Sequence, residues 1–202
     1  WTVDDYCTFT AAFIEQTGIS GCDIIAHSFG GRVALLLAAT RPELIGKLLL
    51  TDAAGLLPKR SKGYYLKTNF FKTMKKLTYL IPNSDELRKK LSRFGSADYK
   101  ALPYCMKTTF VNVVNQDLAW CLPKVKAETL LIWGRNDTAT PVWMGQQMEK
   151  EIKGSALIVL ENAGILPISI SAAVSCALRM RFSSRRKQKR LKTLEERACW
   201  NL

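Results

Sequence analysis

One histidine, His27, stands in the 202 residues, and metal-ligand spacing is missing as well. The six cysteines (Cys7, Cys22, Cys105, Cys121, Cys176 and Cys199) are scattered, with no two placed to share an ion. A structural zinc site needs a cluster of Cys and His ligands, so no metal is expected. Scattered free thiols fit a reducing compartment, and the expected setting is cytoplasmic. No apolar run nears the roughly 18 residues of a membrane-spanning helix. The longest, Val33 to Ala39, stops far short, so no membrane span is expected. The N-terminus, Trp1-Thr-Val-Asp-Asp5, has no basic start and no hydrophobic signal core. It also lacks an initiator Met, from which we expect the chain to begin inside a longer one. Disorder and low complexity are excluded by composition, since 48% of residues are apolar and only 23% charged, enough to bury a core.

What is abundant is positive charge, and it is unevenly placed. The net charge is +13, yet residues 1–55 carry 3 Lys and Arg against 6 Asp and Glu. Residues 56–122 carry 13 against 4, residues 123–164 balance at 5 against 5, and residues 165–202 carry 9 against 2. The basic run from Pro58 onward suits nucleic acid, anionic lipid or a solvated helical surface. The tail Arg185-Arg-Lys-Gln-Lys-Arg190 resembles a nuclear-localisation or RNA-binding stretch. No recognition motif accompanies either segment, so no nucleic-acid partner is expected.

Periodicity predicts a helix over Val3–Gln16, with Val3, Tyr6, Phe9 or Thr10, and Phe13 on its apolar face. Cys22-Asp-Ile-Ile-Ala-His27 reads as a buried strand running into Ser28-Phe-Gly-Gly31. A helix over Arg32–Thr40 follows, stopped by Arg41-Pro42, and then a strand over Lys47–Asp52. Strand, helix and strand within about thirty residues make a βαβ unit with parallel pairing. From Leu56 to Leu122 strand signals vanish and prolines punctuate basic helical stretches, as in an all-helical insertion. Thr129–Gly134 and Ser155–Leu160 restore strands, with a helix over Val142–Ile152 between them.

The chemistry concentrates at Ala26-His-Ser-Phe-Gly30, which has the small-x-Ser-x-Gly pattern of a nucleophile elbow. Such a turn holds its serine at positive φ, so the hydroxyl of Ser28 is pushed out above the sheet. Ala26 and Gly30 supply the small neighbours this turn needs. The following helix starts near Phe29 and points free N–H groups at any oxyanion formed there. A serine at a turn also serves as a plain N-cap, and an aspartate such as Asp137 as a plain turn former. His27 precedes Ser28 and points to the opposite side of the strand, which suits packing better than catalysis. Asp52, ending a neighbouring strand, is an alternative acid.

Asp23–Ala34, Arg41-Pro-Glu43 and Leu48–Gly55 resemble the elbow region of the α/β-hydrolase superfamily. Leu131-Ile-Trp-Gly-Arg-Asn-Asp137 with Thr140-Pro141 resembles that family's acid-bearing strand and loop, and Leu160-Glu-Asn-Ala-Gly164 the lead-in to its catalytic histidine. The resemblance covers residues 1 to about 164. It implies a mostly parallel α/β sheet, incomplete here, flanked by helices: core in 1–55 and 123–164, a helical cap in 56–122, and a basic tail in 165–202 outside the family pattern. It also implies Ser28 as nucleophile, Asp137 as orienting acid and the Phe29 N–H as one oxyanion donor. No cofactor is implied. The cap would shape an apolar pocket from residues such as Phe70, Phe71, Tyr79 and Phe110, for a small acyl-type substrate.

Two departures stand against an intact triad. Where the family places its histidine, this sequence has Ile165, and no other His substitutes. The second oxyanion donor belongs to an early loop that would precede Trp1. Beyond Gly164, Ile165-Leu-Pro-Ile-Ser-Ile-Ser171 replaces the expected His-led segment. One lost nucleotide accounts for it: with a C restored in front, compatible codons read His-Phe-Ala-Tyr-Leu-Asp-Lys. Genuine divergence to a noncatalytic end is the other account. The expected function is a hydrolase of small ester, amide or C–C substrates, crippled in this chain. The alternative is a noncatalytic binding or regulatory protein that keeps the fold.

Overall fold

Four short strands, β1 (Cys22–His27), β2 (Ile45–Thr51), β3 (Glu128–Gly134) and β4 (Ala156–Leu160), pair in parallel in that order. This is a computed structural model, and it describes residues 1–57, 62–78 and 97–164. The strand sequences dictate the arrangement. Leu48, Leu49 and Leu50 are consecutive and all buried, the mark of a parallel strand covered on both faces. Parallel partners need crossovers, supplied by α2 (Phe29–Thr40) between β1 and β2 and α6 (Val142–Glu151) between β3 and β4. The register sets His27 beside Thr51, Thr51 beside Ile132 and Ile132 beside Ile158, so the carboxyl ends of all four strands lie along one edge.

Core packing follows from side-chain size. Trp133 is fully buried, and α6 comes close because residue 145 is glycine: a Cβ there would lie 2.8 Å from the indole. Leu35, Leu37, Leu48, Leu50 and Leu131 are fully buried, each contributing roughly 1.5–3 kcal/mol. On one sheet face Leu49, Leu130 and Ile132 cluster with Ala156, Ile158 and Leu160.

The first helix, α1 (Val3–Thr17), corrects the sequence reading of its apolar face. Its buried residues are Val3, Cys7, Ala11 and Ile14, whereas Phe9 is 63% and Phe13 54% exposed. Small side chains at positions 7 and 11 let α1 lie close against α2, and that contact decides the face over the larger aromatics. The helix α2 starts at Phe29, as the elbow requires, and β2 starts at Ile45, earlier than its pattern indicates.

The chain divides into two compact units. One comprises Val3–Leu56 with the chain from Asp117 onward, and holds the sheet. The other comprises Leu57–Gln116 with Trp1–Thr2 and holds α3 (Lys62–Leu77), α4 (Ala97–Ala101) and α5 (Tyr104–Asn115). Within it Tyr99 and Phe110 stack obliquely at 6.2 Å, Lys107 sits 5.3 Å over the Tyr99 ring, and the Trp1 backbone nitrogen lies 3.1 Å from Thr109 Oγ1. The boundary differs from the expected 56–122. Residues Ala119–Lys124 form a 3-10 helix against α2, with Leu118, Cys121 and Leu122 fully buried in the sheet unit. Among the residues expected to shape a pocket, Phe70 is 70% exposed and Phe110 half-buried, while Tyr79 and the Phe71 side chain lie outside the described residues.

Candidate active site

Ser28 sits between β1 and α2 at φ 48° and ψ −115°, a region that side-chain-bearing residues rarely occupy. The surroundings hold it there. Its N–H donates to Thr51 O at 3.3 Å, and its carbonyl accepts from Gly31 N at 3.0 Å and Ala54 N at 2.9 Å. Strand β2 and the turn after it therefore clamp the elbow from one side. The residue is exposed, and its hydroxyl does not cap the helix that follows. Phe29 opens α2, so its N–H is one of the helix donors without an intrahelical acceptor. Its ring meets Tyr6 edge-on, centroids 5.0 Å apart.

The small residues of the elbow carry unequal constraints. A Cβ at Gly30 would meet the Ala26 Cβ at 3.7 Å, an ordinary contact. At Gly31 it would lie 2.4 Å from the Ala53 Cβ and 3.2 Å from the Ala54 carbonyl. Gly31, which the five-residue pattern leaves out, is the position where the backbone turn and helix meet most tightly.

Asp137 lies in the loop after β3 and is buried. Its Oδ1 accepts from Ala139 N at 2.7 Å and Thr140 N at 3.0 Å, and its Oδ2 from Thr140 Oγ1 at 2.6 Å. Three donors from its own loop fix the carboxylate plane, and among the described residues Oδ2 accepts only from Thr140, which leaves it capacity for a further N–H. The Thr140 carbonyl in turn accepts the Trp133 indole N–H at 2.6 Å, which ties the loop to the core. The sequence resemblance includes Thr140 but gives it no role. Its signal is the Asp-x-x-Thr spacing, in which a carboxylate accepts N–H groups two and three residues on.

Asp52 is at φ 42° and 1% exposed. Its Oδ1 accepts from Gly134 N at 2.8 Å, its N–H donates to Ile132 O at 3.0 Å, and its carbonyl lies 3.1 Å from Thr140 Oγ1. It joins the end of β2 to the end of β3, at the root of the Asp137 loop. His27 is turned sideways: Nδ1 lies 3.0 Å from Thr51 O and 3.1 Å from Thr51 Oγ1. Arg32, in the first turn of α2, is buried, and that burial lowers its pKa against the opposing pull of Asp117.

The turn after β4 closes onto the same loop. Arg135 N donates to Leu160 O at 3.0 Å, Asn136 N donates to Ala163 O at 2.8 Å, and Asn162 takes φ 61°. A Cβ at Gly134 would meet Gly164 O at 1.9 Å, so glycine is needed where Gly164 passes. The chain thus reaches Gly164 beside the acid-bearing loop. Ile165 and the tail lie outside the described residues. Among the described residues no group of His, Cys, Asp and Glu could hold a metal ion.

No family model matches the chain. Among curated proteins it is 28% identical over 179 residues to a pimeloyl-[acyl-carrier protein] methyl ester esterase of Neisseria meningitidis, covering 77% of this chain and 55% of that protein. It is 24% identical over 177 residues to a 2-hydroxy-6-oxononadienedioate/2-hydroxy-6-oxononatrienedioate hydrolase of a Pseudomonas species, covering 79% and 62%. The chain thus spans less than two thirds of either relative. Among solved structures it superposes on an α/β hydrolase from a marine-lagoon sediment metagenome with TM-score 0.58 and 19% identity, over 90% of this chain and 72% of that one. On a hydrolase from Pseudomonas aeruginosa the TM-score is 0.62 at 18% identity, over 91% and 73%.

Proposed function

The chain has the α/β-hydrolase fold, and from that premise we propose that it derives from a serine hydrolase of small ester, amide or C–C substrates, with Ser28 as nucleophile. The observation that carries this reading is the strained, exposed Ser28 between β1 and α2. Strain of this kind costs of order 1–3 kcal/mol and persists only where the surroundings enforce it. In the reaction Ser28 Oγ attacks the carbonyl carbon, and the Phe29 N–H stabilises the negative charge that develops on the substrate oxygen. The serine proton must pass to a base, which then returns it to the leaving group. Asp137 is suited to orient such a base through the open lone pair of Oδ2. The hydrolase names of the two relatives support the reaction class.

The base is the missing part. His27 is the sole histidine and is engaged with Thr51, and position 165, next after the turn held to the acid loop, is isoleucine. Ser28 in this chain is therefore an ordinary alcohol. The isoleucine at 165 also favours a second reading, a noncatalytic protein that keeps the fold to bind a small acyl-type ligand. The test is labelling with a fluorophosphonate probe beside a Ser28→Ala control. The expected result is labelling no stronger than the control, with ester turnover near background, since triad loss removes about 10⁴- to 10⁶-fold in rate. Stoichiometric labelling that Ser28→Ala abolishes would overturn the missing base.

A further inference from the structure

Helix α3 (Lys62–Leu77) carries five lysines, Lys62, Lys67, Lys72, Lys75 and Lys76, and no Asp or Glu. On the same helix Leu66 is 73%, Phe70 70% and Leu77 46% exposed. At 3.6 residues per turn these three positions fall within roughly 40° of one another, so they form one stripe along the helix. Thr73, also exposed, fills the gap between Phe70 and Leu77, and the exposed Lys76 flanks the stripe. A solvated surface helix would bury residues such as Leu66, Phe70 and Leu77, and here all three are exposed. Single-stranded nucleic acid would match the charge and stack on Phe70, but it would leave Leu66 and Leu77 in water. An anionic bilayer satisfies both features, with acyl chains for the stripe and headgroup charge for the lysines.

We propose that α3 is an interfacial helix that seats the helical unit on an anionic lipid surface, with Leu66, Phe70 and Leu77 inserted below the headgroups. This goes beyond the hydrolase reading and stands whether or not Ser28 reacts.

The experiment is co-sedimentation of the full chain with vesicles of phosphatidylcholine, alone or with about 30% phosphatidylglycerol. We expect binding to the anionic vesicles and at least roughly tenfold weaker binding to neutral ones. Leu66→Ser with Phe70→Ser should weaken anionic binding about 10- to 100-fold, because buried Leu and Phe each contribute apolar insertion. Both residues are exposed, and retained far-UV circular dichroism verifies that the variant is folded. The basic tail is unchanged in this variant, so the loss reports on α3 alone. In Phe70→Trp, brominated phosphatidylglycerol should quench emission more than in the parent. Absence of vesicle binding, binding that survives Leu66→Ser with Phe70→Ser, or no added quenching in Phe70→Trp would each overturn the proposal. A chain that shifts with single-stranded RNA and ignores vesicles would replace the lipid by nucleic acid.

Discussion

Replacing Gly31 by alanine, with Gly30→Ala beside it, separates two accounts of why the elbow needs small residues. The sequence pattern assigns the constraint to Gly30, and the structure assigns it to Gly31. An added Cβ at 31 would lie 2.4 Å from the Ala53 Cβ, 3.0 Å from its Cα and 3.2 Å from the Ala54 carbonyl. An ordinary contact lies about 1 Å further out, and the neighbours are backbone-borne, so the turn after β2 must move. Overpacking of this kind costs about 1–3 kcal/mol, against a gain of up to about 1 kcal/mol for alanine over glycine in a helix. With the full helix gain the net loss is up to about 2 kcal/mol, a Tm lower by up to roughly 4–8 °C in a chain of this size. At Gly30 the added Cβ makes a 3.7 Å contact, so only the helix gain remains and Tm should hold or rise by roughly 2–4 °C. The assay is thermal unfolding followed by far-UV circular dichroism. The reasoning fails if Gly30→Ala loses as much stability as Gly31→Ala.

Thr140→Val keeps the shape of the loop but removes the donor to Asp137 Oδ2, and should cost about 1–3 kcal/mol in urea unfolding, with Thr140→Ser restoring most of it. Asp52→Asn keeps an acceptor for the Gly134 N–H and tolerates φ 42°, so it should be near neutral. Asp52→Val loses both and should cost at least about 2 kcal/mol by the same measurement. Burial pushes the Cys121 thiol from 9.0 up to about 12. Above pH 9 the unfolded chain then releases a proton that the folded chain keeps, so stability falls from pH 9 toward 12, by up to about 1.4 kcal/mol per pH unit, and is flat in this group below 9. Cys121→Ala should flatten that slope in part, since burial raises Cys7 in the same direction.

The elbow was legible in sequence because its chemistry is local. Ala26, Ser28 and Gly30 lie within five residues, and their spacing alone implies a strained strand-to-helix turn. The parallel pairing of β1 with β2 is equally open to reading, since a strand–helix–strand run implies it. Contacts between distant segments were not. That Gly31 meets Ala53, that Asp52 braces Gly134 and that Gly134 yields to Gly164 depends on the registers of β1 with β2, β2 with β3 and β3 with β4, which no local pattern encodes. The face of α1 was misread for a related reason. Phe9 and Phe13 are larger than Cys7 and Ala11, but the distance to α2 is set by the smaller pair. The strand-free stretch runs to Leu122 in sequence, with Pro123 as its punctuation, whereas Leu118 and Leu122 are buried in the sheet unit.

The most direct test of the proposal that Ser28 belongs to a hydrolase site without its base is a single inserted nucleotide. Every isoleucine codon begins with AT, so a cytosine placed ahead of codon 165 makes CAT, histidine, and shifts the frame of all that follows. The altered gene, with any coding sequence that runs in frame ahead of Trp1, is compared with its parent and with the altered gene carrying Ser28→Ala. Turnover of a short acyl ester is measured for all three. The account predicts a gain of at least about 10³-fold over the parent, abolished by Ser28→Ala. A product as inert as the parent would contradict it, and the noncatalytic binding protein would then be the correct reading.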